Sequence, residues 1–304
     1  MKMNRVVVFA MIFLLGIALT AGAQWVNQQV GNAGTVNWSN QVIRATGIGA
    51  GNPNQPLHAQ RAMAIRAAKV DAWRNLLESV KGIALSSETT VRNSMVENDV
   101  ISTRVEGILK GFTQIGEPKY LSDGSVEVTV EIPLSGALTD AILPQNFGGG
   151  QFMATGQPLC PTCGQPWPAG KPVPPGVQLI QPSGTGMQAS GVAYTGLIVI
   201  AKGLGVRPAM APKILDESGK EIYGSKFVDR KWAVEMGMVG YDKDVNRART
   251  NDRVTNNPLV VTAVKTSGPN KADVVLSAAD AMAVHSAATN QNFLDKCKVM
   301  FIVD

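Results

Sequence analysis

Apolar and polar residues alternate in the first half of the chain in patterns that predict one strand and two helices. Strict alternation over residues 42–48 is typical of a half-buried strand. Apolar residues then recur at steps of three and four over residues 57–81, which predicts a long amphipathic helix with Gly82 as a left-handed cap at its end. The same spacing over residues 97–110 predicts a second helix.

A β-hairpin is predicted after the second helix. Residues 112–121 and 125–132 are strand-like, and Ser122-Asp123-Gly124 between them is typical of a hairpin turn. The order strand, helix, helix, hairpin predicts an α+β fold in which the helices pack on one face of a small antiparallel sheet. The many alanines of the long helix would let it lie close to that sheet.

The middle of the chain predicts a linker between two domains. Residues 147–191 are rich in proline and glycine, a composition that disfavours helix interiors and central strands. We therefore assign residues 24–146 to a first domain and residues 192–304 to a second. In the second domain, apolar runs separated by turns predict a mixed α+β fold. Its predicted strands are 197–201, 212–215, 221–223, 257–265, 273–276 and 297–303, and residues 277–294 are predicted to be a helix or a mixed segment.

Residues 1–23 have the features of an export signal. Lys2 and Arg5 precede an apolar run, and Ala21-Gly22-Ala23 forms an A-x-A cleavage site. The run is shorter than the roughly 20 residues that a membrane-spanning helix needs. We therefore expect cleavage before Gln24, no transmembrane segment in the mature chain, and a location in the periplasm or on the cell surface. A lipoprotein would carry cysteine in place of Gln24, so lipid anchoring is not expected.

The charge balance argues against a nucleic-acid partner. Removal of Lys2 and Arg5 with the signal leaves 26 of the 28 basic residues against 23 acidic ones. So small an excess, spread along the chain, lacks the clustered basic face that nucleic-acid binding requires. Envelope proteins, or further copies of this chain, are the partners that we expect.

Three segments of the first domain follow one another in a characteristic order. They are QRAMAIRAAKVDAWRNLLESVKGI, TTVRNSMVENDVISTRVEGILKGF and YLSDGSVEVTVEIPL. Over residues 43–134 the chain resembles the Lpp-twenty lipoprotein domain family and the related N-terminal domain of flagellar assembly protein T. The resemblance implies an envelope-associated, non-enzymatic α+β module, and it transfers no catalytic residue. Residues 195–224 resemble segments that accompany such domains in other exported proteins.

Cys160 and Cys163 form a C-x-x-C knuckle in the predicted linker. One knuckle supplies two of the four ligands of a structural zinc site, and the isolated Cys297, His58 and His285 do not complete a site within one chain. Three arrangements stay open: a local disulfide, which export favours, a pair of free thiols, or half of a zinc site shared by two chains. Redox catalysis is disfavoured, because downstream prolines prevent the helix that would activate the first thiol.

Two further segments resemble catalytic or phosphate sites only in part. Gly47-Ile48-Gly49-Ala50-Gly51 lacks the G-x-G-x-x-G spacing of a phosphate loop, so a flexible strand-to-helix turn is predicted. Asp216-Glu217 lies in a predicted turn open to water, where nothing would raise a carboxyl pKa toward the range of a general acid. The chain also lacks the G-x-S-x-G and H-E-x-x-H motifs of hydrolases.

A calcium loop is suggested, and then disfavoured, by a short acidic run. Asp242, Asp244 and Asn246 match the first ligands of such a loop. Arg247 stands where the bend needs glycine, and Arg253 stands where the bidentate glutamate belongs. We therefore predict a solvated loop and no cation.

The long helix carries the charges from which a docking face could form. They are Arg61, Arg66, Lys69, Asp71, Arg74 and Glu78. The alternative is an ordinary solvent-exposed surface with weak ion pairs such as Arg74 with Glu78.

We interpret the chain as a non-enzymatic envelope protein that acts through protein–protein contacts, by this helical face or by an exposed sheet edge. The alternatives are a metal-binding or redox-responsive module that uses Cys160 and Cys163, and a hydrolase of envelope polymers.

Metal analysis combined with thiol counting will separate the three arrangements of Cys160 and Cys163. A shared site predicts one zinc per two chains, lost with Cys160→Ser, because thiolates supply the ligands. A disulfide predicts no zinc and one of the three cysteines titratable in denaturant, whereas free thiols predict all three. Cys297→Ser is the control; zinc that disappears with this change would contradict the shared knuckle.

Overall fold

The computed structural model describes residues 25–144, 147, 171–174, 177, 193–290 and 292–304. The predicted export signal lies outside these residues, as do Cys160, Cys163 and most of the predicted linker. Within the described residues the chain is α+β, with a five-stranded antiparallel sheet, a seven-stranded mixed sheet and seven helices, which confirms the predicted fold class. Each sheet organises one domain.

The first domain has its strands in the order β1-β2-β3-β5-β4, all antiparallel, with the long helix on one face. The predicted strand, long helix and hairpin are confirmed, whereas β1, β2 and the short helices α2 and α4 were not predicted. The elements are β1 Asn27–Val30, β2 Gly34–Asn37, β3 Val42–Gly49, α1 Leu57–Lys81, α2 Val91–Glu97, α3 Asp99–Leu109, β4 Thr113–Tyr120, β5 Val126–Pro133 and α4 Ala137–Ile142.

The second domain is built on a mixed sheet in the order β8-β7-β11-β10-β6-β12-β9. Its predicted strands and its predicted helix are found, and α5, β9 and α6 are additional. The elements are β6 Gly196–Ile200, β7 Ile214–Leu215, β8 Glu221–Tyr223, α5 Arg230–Met236, β9 Gly240–Asp242, α6 Val245–Arg249, β10 Pro258–Ser267, β11 Asp273–Leu276, α7 Ala278–Asn290 and β12 Val299–Ile302.

Helix α1 lies unusually close to strand β3, because both surfaces lack large side chains. The helix presents Ala64, Ala68 and Ala72 to the sheet, all of them buried. Opposite them, a Cβ atom on Gly47 would lie 2.0 Å from the Ala72 nitrogen, and one on Gly49 would lie 2.2 Å from the Ala68 nitrogen. The expected close approach of the alanine-rich helix is confirmed.

The glycines of this contact correct one expectation. Gly47 and Gly49 belong to β3 and pair with Val128 and Val126 of β5. They are therefore part of a regular strand, and the flexible turn predicted over residues 47–51 is wrong for these two positions. Their role is steric, since any side chain here would push α1 away from the sheet.

Two helix ends also differ from expectation. Helix α3 begins at Asp99, and a separate helix α2 precedes it, because the Asn98 side chain accepts hydrogen bonds from the Val100 and Ile101 amides and so caps α3. Gly82 has φ −81° and ψ −8°, so the predicted left-handed cap is wrong. The end of α1 is closed by helical-type hydrogen bonds from the Gly82 amide.

The second sheet is buried on both faces at its centre. Leu197 and Val199 of β6 point into the main core, while Ile198 packs with Ala248 of α6 and Met300 of β12 in a smaller cluster. Such two-sided burial explains why β6 and β12 are continuous apolar runs rather than alternating ones.

The two domains share one hydrophobic core and a hydrogen-bonded contact. Buried residues of both sheets belong to a single cluster, and Trp38 of the first domain packs edge-on against Tyr241 of the second, with ring centroids 5.5 Å apart. Arg230 of α5 forms an ion pair with Asp140 and donates to the Pro144 carbonyl oxygen. The two domains are therefore packed together.

Ser87 is the most densely bonded residue of this contact. It is 2% exposed, and its hydroxyl donates to the Ser267 carbonyl oxygen at 2.6 Å. The same hydroxyl accepts from the amides of Ala272 and Asp273 at 3.2 and 3.1 Å. Its carbonyl oxygen accepts from the Asn270 amide at 2.9 Å. This one residue of the first domain thus forms hydrogen bonds with four backbone groups in and beside the β10–β11 turn of the second domain.

We predict opposite effects of alanine at two glycines. Gly47→Ala forces a Cβ into the α1 backbone and should lower the free energy of unfolding by about 2–4 kcal/mol. Gly107→Ala, in the last turn of α3 with no atom within 4 Å of the new Cβ, should raise it by about 0.5–1 kcal/mol. Urea unfolding of both variants tests this. Equal effects at the two positions would contradict the close helix-to-sheet contact.

Ser87→Ala should destabilise the protein by about 2–4 kcal/mol, because it leaves the Ala272 and Asp273 amides without their acceptor in a buried turn. Ser102→Ala, at a half-buried position of α3, is the matched control and should change stability by less than about 0.5 kcal/mol. Thermal and urea unfolding measure both. A Ser87→Ala protein as stable as the control would show that the inter-domain hydrogen bonds contribute little.

Candidate protein-binding groove on the helical layer

An open groove lies where the end of helix α1 meets helices α2 and α3. Its volume is about 420 Å³. Lys81, the last residue of α1, forms one wall, and residues of α2 and α3 form the rest. The lining residues are Lys81, Arg92, Met95, Val96 and Ser102.

The groove exists because the chain reverses direction directly after α1. Ala84 and Thr90 form an isolated β-bridge, and the Val91 amide donates to the Ile83 carbonyl oxygen. The Thr90 side chain then accepts from the Asn93 amide and caps α2. This tight return brings Arg92, in the first turn of α2, to the same groove as Lys81.

Two valines at the junction of α2 and α3 are strongly exposed. Val96 is 79% exposed and Val100 is 62% exposed, while Met95 beneath them is buried. The valines lie two residues before and two residues after Asn98, which ends α2 and caps α3. Val96 lines the groove, and Val100 is exposed in the first turn of the next helix. We take this exposed apolar pair as a candidate contact surface.

The charge of the groove is positive and uncompensated. Neither Lys81 nor Arg92 takes part in an ion pair among the residues that the structure covers, and no carboxylate lines the groove. The outer side of α1 continues the pattern, with apolar and basic residues at steps of three and four. Its exposed members are Met63, Arg66, Ala67, Val70 and Arg74.

The charges singled out on α1 do not act as one set. Asp71 is structural, because its carboxylate accepts from the Ile48 amide at 2.9 Å and so holds the end of β3. Arg61 lies over the Tyr120 ring, 5.7 Å from its centroid. The predicted ion pair of Arg74 with Glu78 is not formed in the described structure. The outward cations therefore remain available to solvent or to a partner.

The exposed sheet edge is a poor alternative contact surface. Edge strand β4 has an irregular register between Ile115 and Lys119, with Gly116 at φ +70°. Pro118, within the strand, has no amide hydrogen to donate. Bulges, prolines and lysines at an edge are devices that prevent strand addition, so the predicted use of this edge is not favoured by its geometry.

The acidic segment that was compared with a calcium loop folds around an ion pair between Asp242 and Arg247. Asp242 is 3% exposed and accepts two hydrogen bonds from Arg247, while Asp244 accepts from the Asn246 and Arg247 amides and caps α6. These backbone hydrogen bonds lower the pKa of Asp244. The predicted solvated loop is wrong for Asp242, because its carboxylate is buried against a guanidinium. That guanidinium also lies over the Trp25 ring, 5.2 Å from its centroid.

The remaining candidates for chemistry are dispersed. Cys297 is buried, and desolvation raises the pKa of its thiol to about 12, although a hydrogen bond with Tyr223 acts in the opposite direction. Burial lowers the pKa of His285, and His58 is exposed at the start of α1. No group of three or more histidine, cysteine or acidic side chains that could hold a metal occurs in the described part of the chain.

Asp216 lies in the turn between β7 and β8, as predicted. Desolvation raises its pKa, but hydrogen bonds from the Ser218 hydroxyl and from the Ser218 and Lys220 amides outweigh this effect, so the pKa is lowered. A carboxyl group held ionised in this way is unsuited to act as a general acid at neutral pH. Glu217, beside it, accepts from the Ala278 amide at the start of α7.

Comparison with protein-family models gives a match to the second domain. Residues 196–304 match the family model of the second domain of Tp0624 from Treponema pallidum. The matched segment runs from the first strand of the second domain to Asp304 and covers a little over a third of the chain, so the second domain is similar to that domain. A comparison with curated proteins gave no match.

None of the helices that the structure describes is both long and apolar enough to cross a membrane. The longest of them, α1, has 25 residues but carries charged side chains along its outer side.

Proposed function

We propose that this protein is a non-enzymatic component of the cell envelope that is exported and acts by binding other proteins through the groove formed by α1, α2 and α3. Export is supported by Lys2, Arg5 and the A-x-A sequence before Gln24. The resemblance of residues 43–134 to an envelope-associated domain family supports the same location.

The exposure of Val96 and Val100 carries the proposal. Both side chains are more than half exposed, whereas most other valines of this domain are buried and Val70 of α1 is 50% exposed. Burying a valine fully is worth roughly 1.5–3 kcal/mol, so a partner that covers this pair gains a favourable hydrophobic term. The buried Met95 supplies a firm base under the contact.

The second domain forms hydrogen bonds with the turn between α1 and α2, next to the groove. The Met210 and Ala211 amides donate to the Ala84 and Leu85 carbonyl oxygens, in the turn that leads into α2. Two residues further on, Ser87 is fixed by the β10–β11 turn. A surface whose backbone is already held in place loses little conformational entropy on binding, which favours affinity.

Site-specific photo-crosslinking in living cells tests this proposal. With p-benzoylphenylalanine at Val96 or Val100, we expect a discrete adduct with the same envelope protein from both positions. Met282 on α7 of the second domain is 64% exposed and serves as the matched control, from which that adduct should be absent. No adduct from Val96 and Val100, or the same adducts from all three positions, would reject the groove as the contact surface.

A further inference from the structure

We infer that the groove binds an acidic peptide segment of a partner protein, with carboxylates placed on Lys81 and Arg92 and one apolar side chain placed on Met95 and Val96. This inference deepens the proposed function and rests on it. It assigns the chemistry of the partner rather than only the surface that the partner covers.

Charge complementarity is the first argument. Two cations from different helices line one concavity without a carboxylate among the lining residues. Like charges that share a site repel each other, and an anionic ligand relieves that repulsion. The Arg92 guanidinium can take a carboxylate with two parallel hydrogen bonds, whereas the Lys81 ammonium acts as a point charge.

The mixture of cations and apolar side chains is the second argument. The base of the groove is Met95, whose flexible thioether adapts to differently shaped side chains. A volume of about 420 Å³ is in the range of concave ligand sites and accommodates an anchoring side chain with its adjacent backbone. Apolar anchors in pockets, surrounded by polar contacts, are typical of peptide-binding surfaces.

The charges around the valines favour a peptide over an anionic membrane surface. Exposed Glu97 and Asp99 stand between Val96 and Val100 in the sequence. A membrane surface rich in anionic lipids is broad and would bring negative charge close to Glu97 and Asp99 as well as to the two cations. The carboxylates of Glu97 and Asp99 would repel such a surface. A peptide places its acidic residues on Lys81 and Arg92 and avoids the acidic side.

The N-terminus of α3 does not supply an alternative anion site. The amides of Val100 and Ile101, which have no acceptor within the helix, already donate to the Asn98 side chain. The positive character of the groove therefore comes from the Lys81 and Arg92 side chains. This assignment makes it testable by substitution of those two residues.

Selection from a phage-displayed library of random dodecapeptides on the mature two-domain protein tests the inference. We expect enriched peptides with an excess of aspartate and glutamate and a recurring aliphatic or aromatic residue. Their affinity, measured by fluorescence polarisation, should fall about tenfold in Lys81→Glu/Arg92→Glu and weaken as salt increases. The same affinity should stay within about twofold in the control Arg249→Glu/Lys265→Glu, whose exposed cations lie in the second domain.

Several outcomes overturn the inference. They are enrichment of neutral or basic peptides, no enrichment above background, and acidic peptides that bind the groove variant as tightly as the wild type. Groove-dependent sedimentation with phosphatidylglycerol vesicles, without peptide enrichment, would assign the groove to lipid instead. Circular dichroism checks that each variant is folded. The milder variant Lys81→Gln/Arg92→Gln must lower the affinity for the peptides in the same direction as Lys81→Glu/Arg92→Glu.

The two experiments fail in different ways. Crosslinks from Val96 and Val100 to one envelope protein, combined with selection of non-acidic peptides, would preserve the proposed function and reject the acidic ligand. Absence of those crosslinks would reject the proposed function itself, whatever the selected peptides are.

Discussion

The architecture depends on a turn of the first domain that is held by the second. Residues 84–87 follow α1, and their polar groups bond with two separate segments of the second domain. Without these partners, the Ser87 hydroxyl and the carbonyl oxygens of Ala84 and Leu85 would be buried unsatisfied or would have to open to water. The satisfied turn fixes the exit of α1, the entry of α2 and therefore the width of the groove between them.

A second constraint acts inside the first domain. Because Gly47, Gly49 and the alanines of α1 allow close approach, the helix lies almost directly on the β3 backbone, and its opposite side is left far from the sheet. The larger apolar residues on that opposite side, among them Met63 and Val70, cannot reach the core and stay exposed. The exposed apolar residues on the outer side of α1 are thus a consequence of how tightly the other side of the helix packs.

The spacing of apolar residues predicted those helices and strands that bury a single face, because their buried residues recur at the regular helix or strand interval. Helix α1 and strands β3 and β5 each have one buried face, so their spacing alone located them. The short helices α2, α5 and α6 were missed because individual side-chain hydrogen bonds set where they begin. Asn98 divides two helices that look continuous by spacing, although an asparagine followed by an acidic residue is a recognisable start signal.

The groove was not predicted, because its residues come from three helices whose arrangement is a tertiary property. Lys81 and Arg92 are 11 positions apart, and nothing in the spacing between them indicates the reversal at the Ala84–Thr90 bridge.

The role of Arg253 was not predicted either, because its partners are also distant in the sequence. It was considered as part of a calcium loop, yet its buried guanidinium donates to the carbonyl oxygens of Met236, Gly237 and Cys297.

That arginine shows how the second domain becomes rigid enough to support a binding surface. Desolvation lowers the pKa of Arg253, but the three carbonyl oxygens that it bonds belong to the end of α5 and to the turn before β12. A buried cation that satisfies two chain reversals resists any movement of either, since a shift would leave charge and carbonyl groups unpaired in the interior. Through the β12–β9 pairing and Tyr241, the same part of the second domain contacts Trp38 of the first domain.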